Sequence, residues 1–321
     1  MAPRPLTWQA EQWQHLQQAR GRQRLAHALL MTGPTGVGKH QFVAALVASL
    51  LCEQPGGDQG VACGSCQACV QRTAGSHPDL LRLFPPEGKK QIPIESVRAL
   101  AEKLALARHY VTPRIAIIDL ADQLNASSAN ALLKLVEEPP AATHLIFINE
   151  RLQRLPATLR SRCQMFRFGL PPEELSLAHM VEMGVPEKAA GALLLQAGGA
   201  PLRAVEAHQP EHIEALQQWQ KMMDAVAGGR SPAQGPQAVP KEDAAAFLLW
   251  LQRSTQQRLK QAFAGAGNEP LEAAGLLKIS DEIGRARRLL EGNGNPQMVI
   301  ESVMILWWKA HRQVAQQRGK A

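Results

Sequence analysis

The chain is poor in aromatic residues, which make up 4% of its 321 positions and include a single tyrosine. A sheet braced by aromatic cross-strand pairs is therefore not expected, and the frequent Ala, Leu and Gln favour helices. Long apolar runs are missing as well. The longest, residues 42–52, is broken by Ser49 and falls well short of the roughly 20 residues that span a bilayer. No charged, apolar and small leader opens the sequence, so a cytoplasmic protein with no membrane partner is expected. Cysteine is scarce too: there are five, and four of them fall within residues 52–69.

What is present suits a folded protein. An apolar fraction of 45% and a charged fraction of 20% are ordinary for a globular chain and exclude disorder over most of the length. At roughly 150 residues per domain, the length fits about two domains, or three small ones. The net charge of +7 is uneven. Residues 283–321 carry Arg285, Arg287, Arg288, Lys309, Arg312, Arg318 and Lys320 against only Glu291 and Glu301. A basic helical end of this kind serves as a solvated face, a contact for an acidic partner or a nucleic-acid contact, and charge alone does not choose among them.

Up to about residue 168 short apolar runs alternate with helical patterns. Strands are expected at residues 28–32, 79–84, 115–119, 144–149 and 165–168. Between them Val43, Leu46, Val47 and Leu50, and again Ala129, Leu132, Leu133 and Val136, fall at the i, i+3, i+4, i+7 spacing of a helix face. Ser127 or Ser128 is the expected N-cap of the second helix, and Pro139-Pro140 its stop. Such alternation implies an α/β domain with a parallel sheet covered on both faces. After Pro171-Pro172 only helical patterns remain, broken at Gly198-Gly199-Ala200-Pro201 and along residues 228–240. The expected class is α/β followed by all-α.

Directly after the first strand comes Gly33-Pro34-Thr35-Gly36-Val37-Gly38-Lys39-His40, leading into a helix. This G-x-x-x-x-G-K pattern marks a phosphate-binding loop. Its glycines let main-chain N–H groups turn inward, the helix N-terminus adds partial positive charge, and Lys39 adds a full one. The position after the lysine should be Ser or Thr, whose hydroxyl ligates magnesium, but it is His40, and imidazole suits that hard ion poorly. The strand ending in Asp119 supplies the carboxylate that organises magnesium in such folds. The next residue, where hydrolytic relatives carry a glutamate that activates water, is Leu120, and Asp122 is expected to aim elsewhere. The residues leave ATP or ADP binding open, either a working site or a relic loop, and argue against hydrolysis.

The four clustered cysteines read Cys52-x10-Cys63-x2-Cys66-x2-Cys69. Tight clusters in cytosolic chains bind metal more often than they form disulfides. Four thiolates at this spacing suit a closed, structural tetrahedral zinc site, with the Gly-rich residues 54–62 looping Cys52 back to the others. A redox Cys-x-x-Cys pair competes, weakened by the two further thiols. A zinc module that reads DNA is disfavoured, because Gly64, Ser65, Gln67 and Ala68 carry neither charge nor ring.

Several segments together carry a family resemblance: Arg24-Leu25-Ala26-His27-Ala28-Leu29-Leu30 before the loop, the four-cysteine insert and Ser76-His77-Pro78-Asp79. Beyond these come Asn130-Ala131-Leu132-Leu133-Lys134-Leu135-Val136-Glu137-Glu138-Pro139-Pro140 and Ser161-Arg162-Cys163. Over roughly residues 20–170 the chain resembles the clamp-loader branch of the AAA+ family in its bacterial form. The resemblance implies a RecA-like sheet domain with a zinc-binding insert (1–169, insert 52–69), a small helical lid (170–209) and a helical collar for oligomerisation (210–321). It implies a place beside gamma/tau and delta subunits in a hetero-pentameric ring of the DNA polymerase III holoenzyme, which puts a sliding clamp on primed DNA. With His40 and Leu120 where a hydrolytic member has Thr or Ser and Glu, it points to the non-hydrolysing stator. The alternative is a gamma/tau-type or other active ATPase. Arg162 is then an arginine finger acting in trans on a neighbour's ATP, and Gly33, Thr35, Gly36, Val37, Gly38, Lys39, His40 and Asp119 form a degenerate nucleotide site. Active members have a nucleotide-sensing arginine early in a lid helix. Here that position falls on Leu202, with Arg203 beside it expected to point away.

Overall fold

The computed structural model describes residues 2–56, 60–89, 91–208, 210–232, 239–263, 273–292 and 294–318, with main chain only at 210–213, 291 and 313–318. The chain divides into two compact units between Val205 and Glu206. Lys320, and residues 233–238 of the expected Gly/Pro break, lie outside the described residues, as do 57–59 of the expected cysteine loop.

In the first unit β1 (Ala28–Thr32), β2 (Leu80–Leu83), β3 (Arg114–Ile118), β4 (Thr143–Asn149) and β5 (Gln164–Arg167) pair in parallel, in the order β2-β3-β4-β1-β5. Alternation along β1 sends Leu29 and Met31 to one face and Ala28 and Leu30 to the other. Among the described residues six α-helices flank the strands: α1 (Ala10–Gly21), α2 (Lys39–Leu51), α3 (Gln67–Thr73), α4 (Ile94–Ala105), α5 (Ala126–Glu137) and the short α6 (Ala157–Arg160). Val43, Leu46 and Leu50 of α2 pack on the Leu29 face, and Leu132 and Val136 of α5 on the Leu30 face. Both faces are covered, which is why β1, β3 and β4 are nearly continuous apolar runs.

Besides one-residue shifts at the edges of β3, β4 and β5, two local expectations change. β2 is shorter than residues 79–84 because Asp79 turns its buried carboxylate onto the loop after α4. It accepts from the N–H groups of His109 and Tyr110 at 3.0 and 2.9 Å and pairs with Arg114 at 3.3 Å. Arg114 in turn donates to the carbonyls of Leu104, Leu106 and Ala107, closing the end of α4. The N-cap of α5 is Asn125, not a serine: its side chain accepts from Ser128 N at 2.8 Å, while the Ser128 hydroxyl is buried on Ile92 O. Asparagine is as good a cap as serine, and capping three residues earlier than Ser128 lets that serine serve the core.

At the end of the first unit α7 (Glu173–Glu182), α8 (Glu187–Gln196) and α9 (Pro201–Ala207), whose last two residues lie beyond the unit's end at Val205, enclose a small separate core of Met180, Val185, Ala190, Leu194, Ala197 and Ala204. The second unit contains α10 (Pro210–Ala227), α11 (Ala244–Phe263), α12 (Ala273–Glu291) and α13 (Pro296–Arg318) around Phe247, Leu248, Ile279, Ile283, Ile300 and Trp307. Some of its basic residues are used internally: Arg287 donates to Gln252, and Arg312 lies over the Trp308 ring at 4.7 Å. Among the described residues no helix is long and apolar enough to cross a membrane.

Candidate functional site

Parallel sheets bind ligands at the carboxyl ends of their strands, and there the loop from Gly33 to Gly38 joins β1 to α2. Gly36 and Gly38 have φ of +83° and +94°, a region open cheaply only to glycine. Close neighbours make the same demand. A Cβ on Gly38 would stand 2.5 Å from Leu6 Cδ1, and one on Gly36 would stand 2.9 Å from Arg203 Cβ.

The carbonyls of this loop are bonded from inside the protein. The Lys39 ammonium donates to Gly33 O and Pro34 O, both at 2.8 Å. Trp8 Nε1 donates to Val37 O at 3.0 Å, and Gln9 Nε2 to Gly38 O at 2.8 Å. Leu202 N, in the first turn of α9, donates to Gly36 O at 3.1 Å. Gln9 is fully buried and accepts from Leu6 N at 3.0 Å; the Trp8 ring meets His179 of α7 edge-on at 5.2 Å. Residues 6–9 thus form a strap across the loop, and the lid is fastened to the loop as well. Burial lowers the pKa of Lys39, opposed by the charges of Glu150, Asp122 and Asp119. Thr35 is exposed at the loop's tip and Val37 is buried beneath it.

At the mouth of the loop His40 Nε2 reaches both oxygens of Asp119, at 3.0 and 3.2 Å. Burial pushes the Asp119 carboxyl up, but the hydrogen bond and charge of His40, with the N–H of Leu120, outweigh it and hold the carboxyl below its ordinary range. Leu120 is in the left-handed region at φ +50°. Asp122 accepts from Glu150 N at 3.2 Å, so it is committed to the main chain, as expected. Arg203 does not point away: its Cβ adjoins Gly36 and its charge bears on Lys39. The turn before α9 brings Leu202 to the loop by its backbone and Arg203 by its side chain.

Sequence reasoning passed over two groups here. Asn149, buried at the end of β4, accepts from the Thr32 hydroxyl at 3.2 Å beside the loop; a polar residue closing an apolar strand was the available signal. The strap of Trp8 and Gln9 left no comparable pattern.

The four cysteine sulfurs lie within 4.8 Å of one another, and those of Cys52 and Cys66 are 4.0 Å apart. That is far beyond a disulfide bond of about 2.05 Å. It is close to the roughly 3.8 Å edge of a tetrahedron whose sulfurs sit about 2.3 Å from zinc. Cys63 N donates to Cys52 Sγ at 3.2 Å and Cys66 N to Cys63 Sγ at 3.3 Å. The N–H groups of Ser65 and Cys66 pull Cys63 down to about 6, whereas burial pushes Cys69 up to about 12 and Cys52 up as well. Buried thiols beside a thiolate need a cation if all four are to ionise, and a divalent ion supplies that charge. The donor set fits a metal such as zinc.

Arg162 follows α6, in the turn before β5. Its Nε donates to Glu137 Oε1 at 2.7 Å and its Nη1 to Thr158 O at 3.0 Å. The side chain is 42% exposed. It is far along the chain from the phosphate loop and stands on the protein's surface.

With this geometry in hand, the sequence family described as "DNA polymerase III, delta subunit" matches residues 8–171. DNA polymerase III subunit delta-prime of Pseudomonas aeruginosa is 36% identical over 204 residues, 63% of this chain and 60% of that protein. The subunit of the same name from Escherichia coli is 32% identical over 253 residues, 78% of this chain and 75% of that protein. Among solved structures, a DNA polymerase III gamma subunit-related protein of Thermotoga maritima superimposes with a TM-score of 0.56 at 15% identity, covering 94% of this chain and 99% of its own. That likeness speaks to the fold.

Proposed function

The chain belongs to the DNA polymerase III delta-subunit family, and from that membership we propose that it serves as a delta-prime subunit of a clamp loader, one that organises the ring without hydrolysing ATP itself. The observation that carries this reading is the His40–Asp119 pair. Where a hydrolytic site needs a hydroxyl and a free carboxylate for magnesium, this site has an imidazole bonded to that carboxylate. Leu120 can neither accept a proton nor orient water, and the nearby Asp122 is spent on Glu150 N. The gamma/tau-type alternative requires both functions, and the contacts around the loop favour neither.

In this role the chain works beside gamma/tau and delta subunits in a ring that places a sliding clamp on primed DNA. Its own contribution is Arg162, a guanidinium presented at the surface to the nucleotide of an adjacent subunit, where it neutralises charge on the transferred phosphoryl group. The cysteine cluster holds zinc, through Cys52, Cys63, Cys66 and Cys69; the ion supplies cross-linking of the insert and no reaction. ATP or ADP bound at Gly33–Lys39 would have to displace the lysine from Gly33 O and Pro34 O.

The test is reconstitution. Purified chain mixed with ATP should release no phosphate at the rate of an ordinary ATPase of this class. Mixed with gamma/tau-like and delta-like subunits it should enter one assembly of defined mass, and Arg162→Ala should leave that assembly intact while clamp loading collapses. Arg160→Ala, equally basic and two residues away, should load clamps normally. Turnover by the isolated chain that disappears in Lys39→Ala would overturn the non-hydrolysing reading, and equal behaviour of the two arginine variants would overturn the role of Arg162.

A further inference from the structure

Glu137 closes α5 in the segment Glu137-Glu138-Pro139-Pro140, and its carboxylate forms an ion pair at the surface. Exposed pairs of this kind contribute little to stability, so folding alone is a poor reason for its place. The geometry around it is more specific. Glu137 Oε1 accepts from Arg162 Nε at 2.7 Å, and Thr158 O accepts from Arg162 Nη1 at 3.0 Å. Two edges of the planar guanidinium are thereby tied to the chain's own residues. Among the described residues Nη2 makes no hydrogen bond.

The supports of this arrangement are themselves fixed. His27 Nε2 lies 2.7 Å from Val136 O, the carbonyl immediately before Glu137. A carbonyl only accepts, so Nε2 carries the hydrogen there, and the last turn of α5 is pinned to the segment entering β1. Val136 and Leu159 are buried in one core with Leu132 and Leu155, and Cys163 packs against it. Thr158 O also accepts from the Ser161 hydroxyl at 3.1 Å. Both ends of the Glu137–Arg162 contact therefore rise from one rigid floor. The two prolines after Glu138 stop the helix at this residue, so the carboxylate sits at a fixed height above it.

We infer that Glu137 is a positioning residue for Arg162: it holds the guanidinium by Nε so that Nη2 faces a nucleotide polyphosphate on a neighbouring subunit, with His27 fixing the helix end that carries it. This rests on the reading of Arg162 as a residue that acts in trans. A free arginine has many rotamers, and each must be frozen out when the phosphoryl group arrives. A guanidinium already oriented avoids that loss. Arg162 touches the nucleotide; Glu137 acts only through Arg162.

The experiment uses complete rings reconstituted with Glu137→Ala, Glu137→Gln, Glu137→Asp or Arg162→Ala, and measures clamp-loading rate against ATP concentration. Glu137→Ala should lower the maximal rate by about tenfold, inside the roughly 10²-fold that a misplacement of about 1 Å costs. The ATP concentration for half-maximal rate and the melting temperature should be unchanged. Glu137→Gln keeps an oxygen for Nε and should fall between Glu137→Ala and the unmodified ring; Glu137→Asp, which keeps the charge on a shorter arm, should recover part of the rate. A defect in Arg162→Ala with normal loading by Glu137→Ala and Glu137→Gln would overturn the positioning role and leave the action in trans standing. Normal loading by Arg162→Ala would overturn both. Faster loading by Glu137→Ala would show the carboxylate restraining the arginine, and would also overturn the inference. If Glu137→Ala fails to assemble, the near-isosteric Glu137→Gln decides.

Discussion

His40 and Asp119 face each other across the mouth of the phosphate loop, the imidazole Nε2 within 3.2 Å of both carboxylate oxygens. The contact commits to an imidazole the carboxylate that a hydrolytic site would keep free for magnesium. It also fixes the direction of a titration. A carboxyl held below its ordinary 3.8 adds stability above that pH and loses it as pH falls through the lowered value. In His40→Ala, burial is left as the main influence, so the Asp119 carboxyl should titrate at higher pH, followed by its carbon resonance. Identical titration in the two proteins would mean that the pair is not formed in solution. The effect on overall stability should be small, because the pair is partly exposed.

Removing the Gln9 side chain by Gln9→Ala takes two donors from buried carbonyls, Val37 O and Gly38 O. A loss of about 1 to 3 kcal/mol in urea unfolding is expected. Gln9→Glu should be worse, since a carboxylate oxygen would face those carbonyls. An exposed neighbour such as Glu11→Ala should be silent.

Metal analysis of protein purified without chelators should find close to one zinc per chain, held by the sulfurs of Cys52, Cys63, Cys66 and Cys69. Chelation, or Cys66→Ser, should lower the melting temperature and leave the Asp119 titration where it was. A metal-free preparation with undiminished stability would remove the structural role of the cluster.

Asp79 and Arg114 form a pair whose side chains are almost wholly buried. Breaking such a pair by removing one partner costs about 3 to 5 kcal/mol. Asp79→Ala should lose on that order and expose the loop at His109 and Tyr110 to faster amide exchange, whereas Arg108→Ala, on the exposed side of the same loop, should lose far less.

The sequence carried the sheet well, because β1, β3 and β4 are apolar runs buried on both faces and leave little room for another assignment; strand edges moved by a residue, at β2 because the Asp79 carboxylate serves the loop after α4. Spacing also brought the cysteines together correctly, since a tight cluster is a local fact. Contacts made by single polar groups across the chain were a different matter. Gln9 meets Gly38, and Glu137 meets Arg162, through side chains whose neighbours in sequence say nothing of the partner. Arg203 was misjudged because the direction of a side chain at the start of α9 depends on how one glycine turn enters the helix. Asn125 took the cap from the serines because three of the four residues from Asn125 to Ser128 were chemically able to hold it, and only the buried partner of Ser128 decided.

The position of β1 in the sheet bears on how the protein is made. Its neighbours are β4 and β5, at residues 143–149 and 164–167, so the first strand synthesised is flanked by the last two. While the intervening chain emerges from the ribosome, β1 has both edges unpaired and its Leu29, Leu30 and Met31 uncovered. Long-range parallel pairing is slow and leaves apolar strands open to wrong partners meanwhile. A nascent chain halted before Thr143 would complete neither edge, and one halted before Gln164 only the edge on β4, so fragments ending in the middle of the first unit should aggregate or be degraded, and the sheet becomes a finished object only when its fifth strand arrives.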